Sequence, residues 1–159
     1  MNPGVLLDPG FFIRLLNSAD PLARQTEKYF RFFLQEQYPM LVSTVSIAEF
    51  CVRGQLDQLP LRNVRVLPFA THHAVRAGEL AAAVFASKGR ELLRERTIIP
   101  NDTKLFSQAD TEASIGYYVS SDTESGKVLT LLRQAGQRPR FQFVDLHTPH
   151  TEVFGTLGL

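Results

Sequence analysis

The sequence predicts an α/β protein. The expected form is a three-layer sandwich with a central parallel sheet of about five strands and helices on both faces. Short apolar runs (Val5-Leu6-Leu7, Met40-Leu41-Val42, residues 64–67, Tyr117-Tyr118-Val119 and residues 141–146) alternate with longer amphipathic stretches. The stretches between them are long enough for the right-handed crossovers that parallel strands require. No internal repeat, low-complexity segment or linker interrupts the 159 residues, so residues 1–159 are expected to form one domain.

Taken in order, Val5-Leu6-Leu7 is a buried-strand candidate and residues 11–16 form a short helix. A turn near Asp20-Pro21 leads to a second helix reaching about residue 37. Its apolar positions Leu22, Tyr29, Phe30, Phe33 and Leu34 fall near helical spacing. After the second strand, residues 47–56 read as a helix that Gly54 loosens at its end. The third strand alternates and stops at Pro68. Thr71 is placed to cap an alanine-rich helix, and residues 88–97 are a charged connection. Asn101 or Asp102 is expected to cap a helix running to about residue 115, broken by Gly116 before the fourth strand. A helix over 124–134 ends at Gly136 and Pro139, and a fifth strand and short tail close the chain.

Composition narrows the function classes. Lysine and arginine number 17 against 16 acids, a net charge of +1. That argues against a polybasic nucleic-acid coat, though not against a nucleic-acid enzyme with a local acidic site. A 44% hydrophobic content with 21% charged residues argues against disorder. The single cysteine, Cys51, excludes an intramolecular disulfide framework and is read as a small core residue. The longest apolar run, residues 80–86, is far short of the roughly 20 residues of a membrane helix. No basic segment precedes the first apolar stretch, so neither a signal peptide nor a membrane span is expected, and the expected location is cytoplasmic.

Ligands of open α/β sheets bind beyond the carboxyl ends of the strands. Asp8 directly follows the first strand, and Glu49 lies on the helix after the second. Asp102 opens the helix after Ile98-Ile99-Pro100, and Asp122 follows the fourth strand by two serines. Each acid has a plainer reading. Ser46 to Glu49 fits a capping box, and Asp102 and Asp122 could cap helices. An acid abutting an apolar strand, as Asp8 does, is costly to bury without a partner. The plain readings do not explain why all four fall at one rim. Clustered carboxylates persist when protonated or when paired with cations, and no matching set of basic residues shares the rim. A hard divalent cation, Mg²⁺ or Mn²⁺, is the natural partner.

These residues resemble the PIN-domain family, of the kind found in VapC-type toxins of toxin–antitoxin pairs. The resemblance rests on four patterns in order. They are Val5-Leu6-Leu7-Asp8 before the apolar residues 11–16; Ser43-Thr44-Val45-Ser46-Ile47-Ala48-Glu49-Phe50; Asn101-Asp102 with Leu105 and Ala109; and an apolar strand leading to Ser120-Ser121-Asp122. It extends to the final short strand and the Thr148-Pro149 turn. It implies a Mg²⁺- or Mn²⁺-dependent endoribonuclease with Asp8, Glu49, Asp102 and Asp122 as catalytic metal ligands. It also implies a homodimer and an antitoxin partner. The chain departs from the family at Pro9-Gly10, where Thr or Ser and then Asn or Ser is usual. That departure favours the alternative of a catalytically weak or inactive PIN-like module that binds RNA or protein. A receiver-type signalling domain would need an Asp after the third strand, where Leu67-Pro68-Phe69 stands.

Arg14, Arg94 and Arg96 are candidate phosphate contacts, and Ser120 and Ser121 are candidates to orient a water, a carboxylate or the substrate. Glu124 fits a capping box starting at Ser121, and Asp110 reads as part of a solvated helix face. His147 and His150 lack an acid or cysteine at zinc spacing, His72 and His73 sit at a helix start, and all four read as solvent or packing residues.

Overall fold

The computed structural model describes residues 1–87 and 98–155. Five strands form one parallel sheet: β1 (Gly4–Leu7), β2 (Met40–Ser43), β3 (Val64–Leu67), β4 (Ile115–Ser120) and β5 (Gln142–Asp145). Their order is β3-β2-β1-β4-β5. The helices are α1 (Pro9–Leu15), α2 (Ala23–Gln35), α3 (Thr44–Phe50), α4 (Thr71–Ala86), α5 (Ile98–Thr111), α6 (Thr123–Gln134) and α7 (His150–Phe154). Among the described residues, no helix is long and apolar enough to cross a membrane.

The strands are apolar on both faces because both are covered. Leu6, Leu41 and Tyr118 point toward α4, α5 and α6, where Leu80, Val84, Leu105, Phe106, Val128 and Leu132 complete one core. Val5, Leu7, Val42, Val119 and Val144 point the other way, onto Phe11, Phe12, Tyr29, Phe33 and Phe50 of α1 to α3. The order reverses at β1, whose neighbours β2 and β4 precede helices on opposite faces. That reversal opens a crevice at the carboxyl end of the central strands.

Several local expectations are corrected. The helix after β2 begins at Thr44, because the hydroxyl of Ser43 accepts the Val45 N–H at 3.0 Å and caps it. Ser46 therefore lies inside α3 and forms no capping box with Glu49. Asp102 is not a cap either, since α5 starts at Ile98. Thr71 is the first residue of α4, whose cap position is Ala70. Gly116 does not end a helix but lies within β4, where an added Cβ would come 2.7 Å from the Pro3 Cβ. Cys51 is exposed. Asp110 is buried; its carboxylate accepts from Arg76 Nε at 3.0 Å and from the Arg140 backbone N–H at 3.0 Å. Phe32 and Phe33 are buried against Tyr38 and Phe154. α7 was absent from the sequence expectation.

Candidate metal centre

Asp8, Glu49, Asp102 and Asp122 line one cavity of about 330 Å³, with Gly10, Tyr118, Ser121 and Ser125. Each is delivered by a different element. Asp8 leaves β1 in an extended conformation and caps α1, its Oδ1 accepting the Phe11 N–H at 2.9 Å. Pro9 fits there because the first helical turn has no use for its missing donor. Asp122 caps α6, its Oδ1 accepting the Glu124 N–H at 2.9 Å. Asp102 sits on α5 and Glu49 near the end of α3. The helix-cap reading of Asp122 is thus correct as geometry, and it leaves the residue in the cavity wall.

Ser120 lies beneath the site. It is fully buried, donates its hydroxyl to Asp8 Oδ2 at 2.5 Å and accepts the Asp122 N–H at 3.0 Å. One hydroxyl thereby ties the Asp8 carboxylate to the Asp122 backbone, and Ser120 itself is not part of the cavity lining. Ser121 lines the cavity, with its Oγ accepting from Arg14 Nε at 2.8 Å. Arg14 also pairs with Asp20 at 2.7 Å, so its charge is committed at the flank. Glu124 is buried, with Lys127 Nζ donating at 2.8 Å, and its helix is capped by Asp122, not Ser121. Arg94 and Arg96 lie outside the described residues.

Among the described residues, no basic side chain offsets the burial of Asp8 and Asp102. Burial pushes the Asp8 carboxyl up to about 6; the Ser120 and Phe11 hydrogen bonds oppose this, and the charges of Asp122 and Glu49 add to it. Burial likewise pushes Asp102 up to about 7, against a hydrogen bond from Ser125 and with the charges of Asp122, Asp8 and Glu49. Burial and the same four carboxylates raise the Tyr118 phenol, which forms part of the floor. No lysine or arginine lines the cavity among the described residues. The decisive detail is Asp102 Oδ2, which is buried without a hydrogen-bond partner. An oxygen-only donor set with an orphaned carboxylate oxygen suits a hard divalent cation.

A second cluster was not visible in the sequence, because Glu112 lies 39 residues from His73. Ligand atoms of His72, His73 and Glu112 lie within 4.8 Å of one another. His73 is buried and its Nδ1 accepts the Ala70 N–H at 2.9 Å, so a neutral ring carries its proton on Nε2. That proton points at Glu112 Oε1, 2.7 Å away. A ring serving as acceptor at one nitrogen and donor at the other has no lone pair left for a metal. The cluster ties the start of α4 to the end of α5.

No family model matches the sequence, and no curated protein matches it. Among solved structures, a chain of VapBC2 from Rickettsia felis, bound to a DNA fragment from their promoter, aligns with a TM-score of 0.60 at 12% identity. The alignment covers 89% of this chain and 97% of that one. The fold is PIN-like. A chain of DNA-bound VapBC from Salmonella typhimurium aligns with a TM-score of 0.56 at 17% identity, covering 92% of this chain and 99% of that one. At these identities the likeness is one of fold. In this PIN-like chain, as the sequence led one to expect, the acids of the four patterns surround a single cavity at the switch point.

Proposed function

We propose that this chain is a Mg²⁺- or Mn²⁺-dependent endoribonuclease and the toxin of a toxin–antitoxin pair, acting as a homodimer. The observation that carries the reading is the crowding of four carboxylates into one cavity with no basic side chain among its described lining residues, one carboxylate oxygen being buried and unpaired. The VapBC neighbours and the resemblance to VapC-type toxins support the choice of RNA and of an antitoxin partner.

In this reading Asp8, Glu49, Asp102 and Asp122 would hold the ion. When bound, it would supply the acidity that activates water and the positive charge that offsets a phosphodiester in displacement. The chain's own residues prepare the site. Ser120 orients Asp8 from behind, Ser125 orients Asp102, and the α6 cap holds Asp122. Gly10 has no side chain over the Asp8 carboxylate, whose oxygens lie 3.5 and 3.7 Å from where its Cβ would be. Pro9-Gly10 thus leaves Asp8 open to the cavity, while its hydrogen-bond support comes from Ser120, which weakens the case for an inactive module.

The test is cleavage of single-stranded RNA by purified protein with Mn²⁺, Mg²⁺ or EDTA. Metal-dependent cutting lost in Asp8→Asn, with circular dichroism unchanged, is expected. Cutting retained in that variant would refute the assignment.

A further inference from the structure

Of the four tyrosines, Tyr118 alone packs into the core under α4 to α6 and lines the acidic cavity; Tyr29, Tyr38 and Tyr117 pack with the other core and do not. Tyr118 is 1% exposed. Its ring lies edge to face with Phe106 at 5.2 Å and against Phe143 and Phe141 at 5.9 and 6.0 Å between centroids. All three ring neighbours are phenylalanine, so packing alone would be served by phenylalanine at 118 as well.

The hydroxyl is what distinguishes the residue, and it forms no hydrogen bond with a described residue. Buried tyrosine hydroxyls ordinarily find a partner, because desolvating one without a partner is costly. The charges of Asp8, Asp102, Asp122 and Glu49 all reach this phenol. Burial first, and then these four charges, hold it well above its ordinary value, so it remains an O–H with one hydrogen bond to give. The neighbouring buried hydroxyls of Ser120 and Ser125 are already given to Asp8 and Asp102. The Tyr118 donor is left to the interior of the cavity, whose 330 Å³ has room for several waters at about 30 Å³ each.

We propose that Tyr118 is a further positioning residue of this centre: its hydroxyl donates to a water on the cavity floor that donates in turn to the carboxylates, and so fixes where the oxygen shell of a bound ion sits. Mg²⁺ keeps several waters when bound, and groups that hold a metal's surroundings from outside commonly change its affinity about 10–100-fold. The inference rests on the divalent-ion reading and adds one residue to it.

The test is near-UV difference spectroscopy during titration with Mg²⁺. The chain has no tryptophan, and three of its four tyrosines do not line the cavity. Wild type is expected to give a saturable tyrosine difference band, kept in Tyr117→Phe and lost in Tyr118→Phe. Calorimetry is expected to show Tyr118→Phe binding Mg²⁺ about tenfold more weakly, while its urea melt in EDTA is no less stable than wild type. Mg²⁺ binding by wild type without a tyrosine band, a band that persists in Tyr118→Phe, or an affinity unchanged in that variant would overturn the role of Tyr118 and leave the metal centre standing. Should Tyr118→Phe fail to fold, the band in wild type and Tyr117→Phe decides. No Mg²⁺ binding by wild type would overturn both.

Discussion

Replacing Asp102 by Asn is expected to stabilise the metal-free protein at pH 8. The Asp102 carboxyl is buried and pushed from 3.8 up to about 7. A folded-state value above the unfolded one means that the native state holds the proton more tightly. Stability is then fully present below pH 4 and is lost as pH rises through about 7. The shift of about three pH units corresponds to about 4 kcal/mol of penalty on the ionised form. Asn keeps an oxygen to accept from Ser125 and carries no charge, so it removes most of this penalty. We expect a gain of about 3 kcal/mol at pH 8, or roughly 6–12 °C in Tm, and a gain near zero at pH 4. Urea melts of both proteins in EDTA across pH 4–8 measure it. Saturating Mn²⁺ should reverse the order, since the ion stabilises the carboxylate form and Asn binds it weakly. A variant that is less stable than wild type at pH 8 in EDTA would refute the claim that no described residue offsets this charge.

Other outcomes follow from the same geometry. Mn²⁺ affinity should rise between pH 5 and 8, as the protons held by Asp8 and Asp102 are released on binding; calorimetry in buffers of different ionisation enthalpy would count them. Ser120→Ala should cost about 1–3 kcal/mol in denaturant melts and about 10–100-fold in Mn²⁺ affinity, because the hydroxyl holds both Asp8 and the Asp122 backbone. Asp110→Ala should cost about 2 kcal/mol by stranding the Arg140 N–H and leaving Arg76 only its pairing with Glu79, with RNA cleavage per folded molecule unchanged.

Much of the architecture was legible because apolar runs buried on both faces cannot be confused with loops, and alternation with helices dictates parallel pairing. The acids were legible because the carboxyl ends of parallel strands converge at the switch point. Helix starts were not, since Ser43 and Ser46 both present capping hydroxyls and only the extended backbone of Ser43 selects between them. The burial of Asp110 was hidden because its partners Arg76 and Arg140 come from distant segments. α7 escaped because its five residues are held by tertiary contacts, Phe154 against Phe33, Tyr38 and Tyr117, and not by any periodic pattern of its own. The support that Ser120 gives Asp8 spans 112 residues and has no signature in sequence spacing.

The most direct measurement is an anomalous-difference map from a crystal soaked in Mn²⁺. A peak within coordination distance of the Asp102 and Asp8 carboxylates is expected. A map with no peak among Asp8, Glu49, Asp102 and Asp122, or with its peak at His72, His73 and Glu112 instead, would contradict the account.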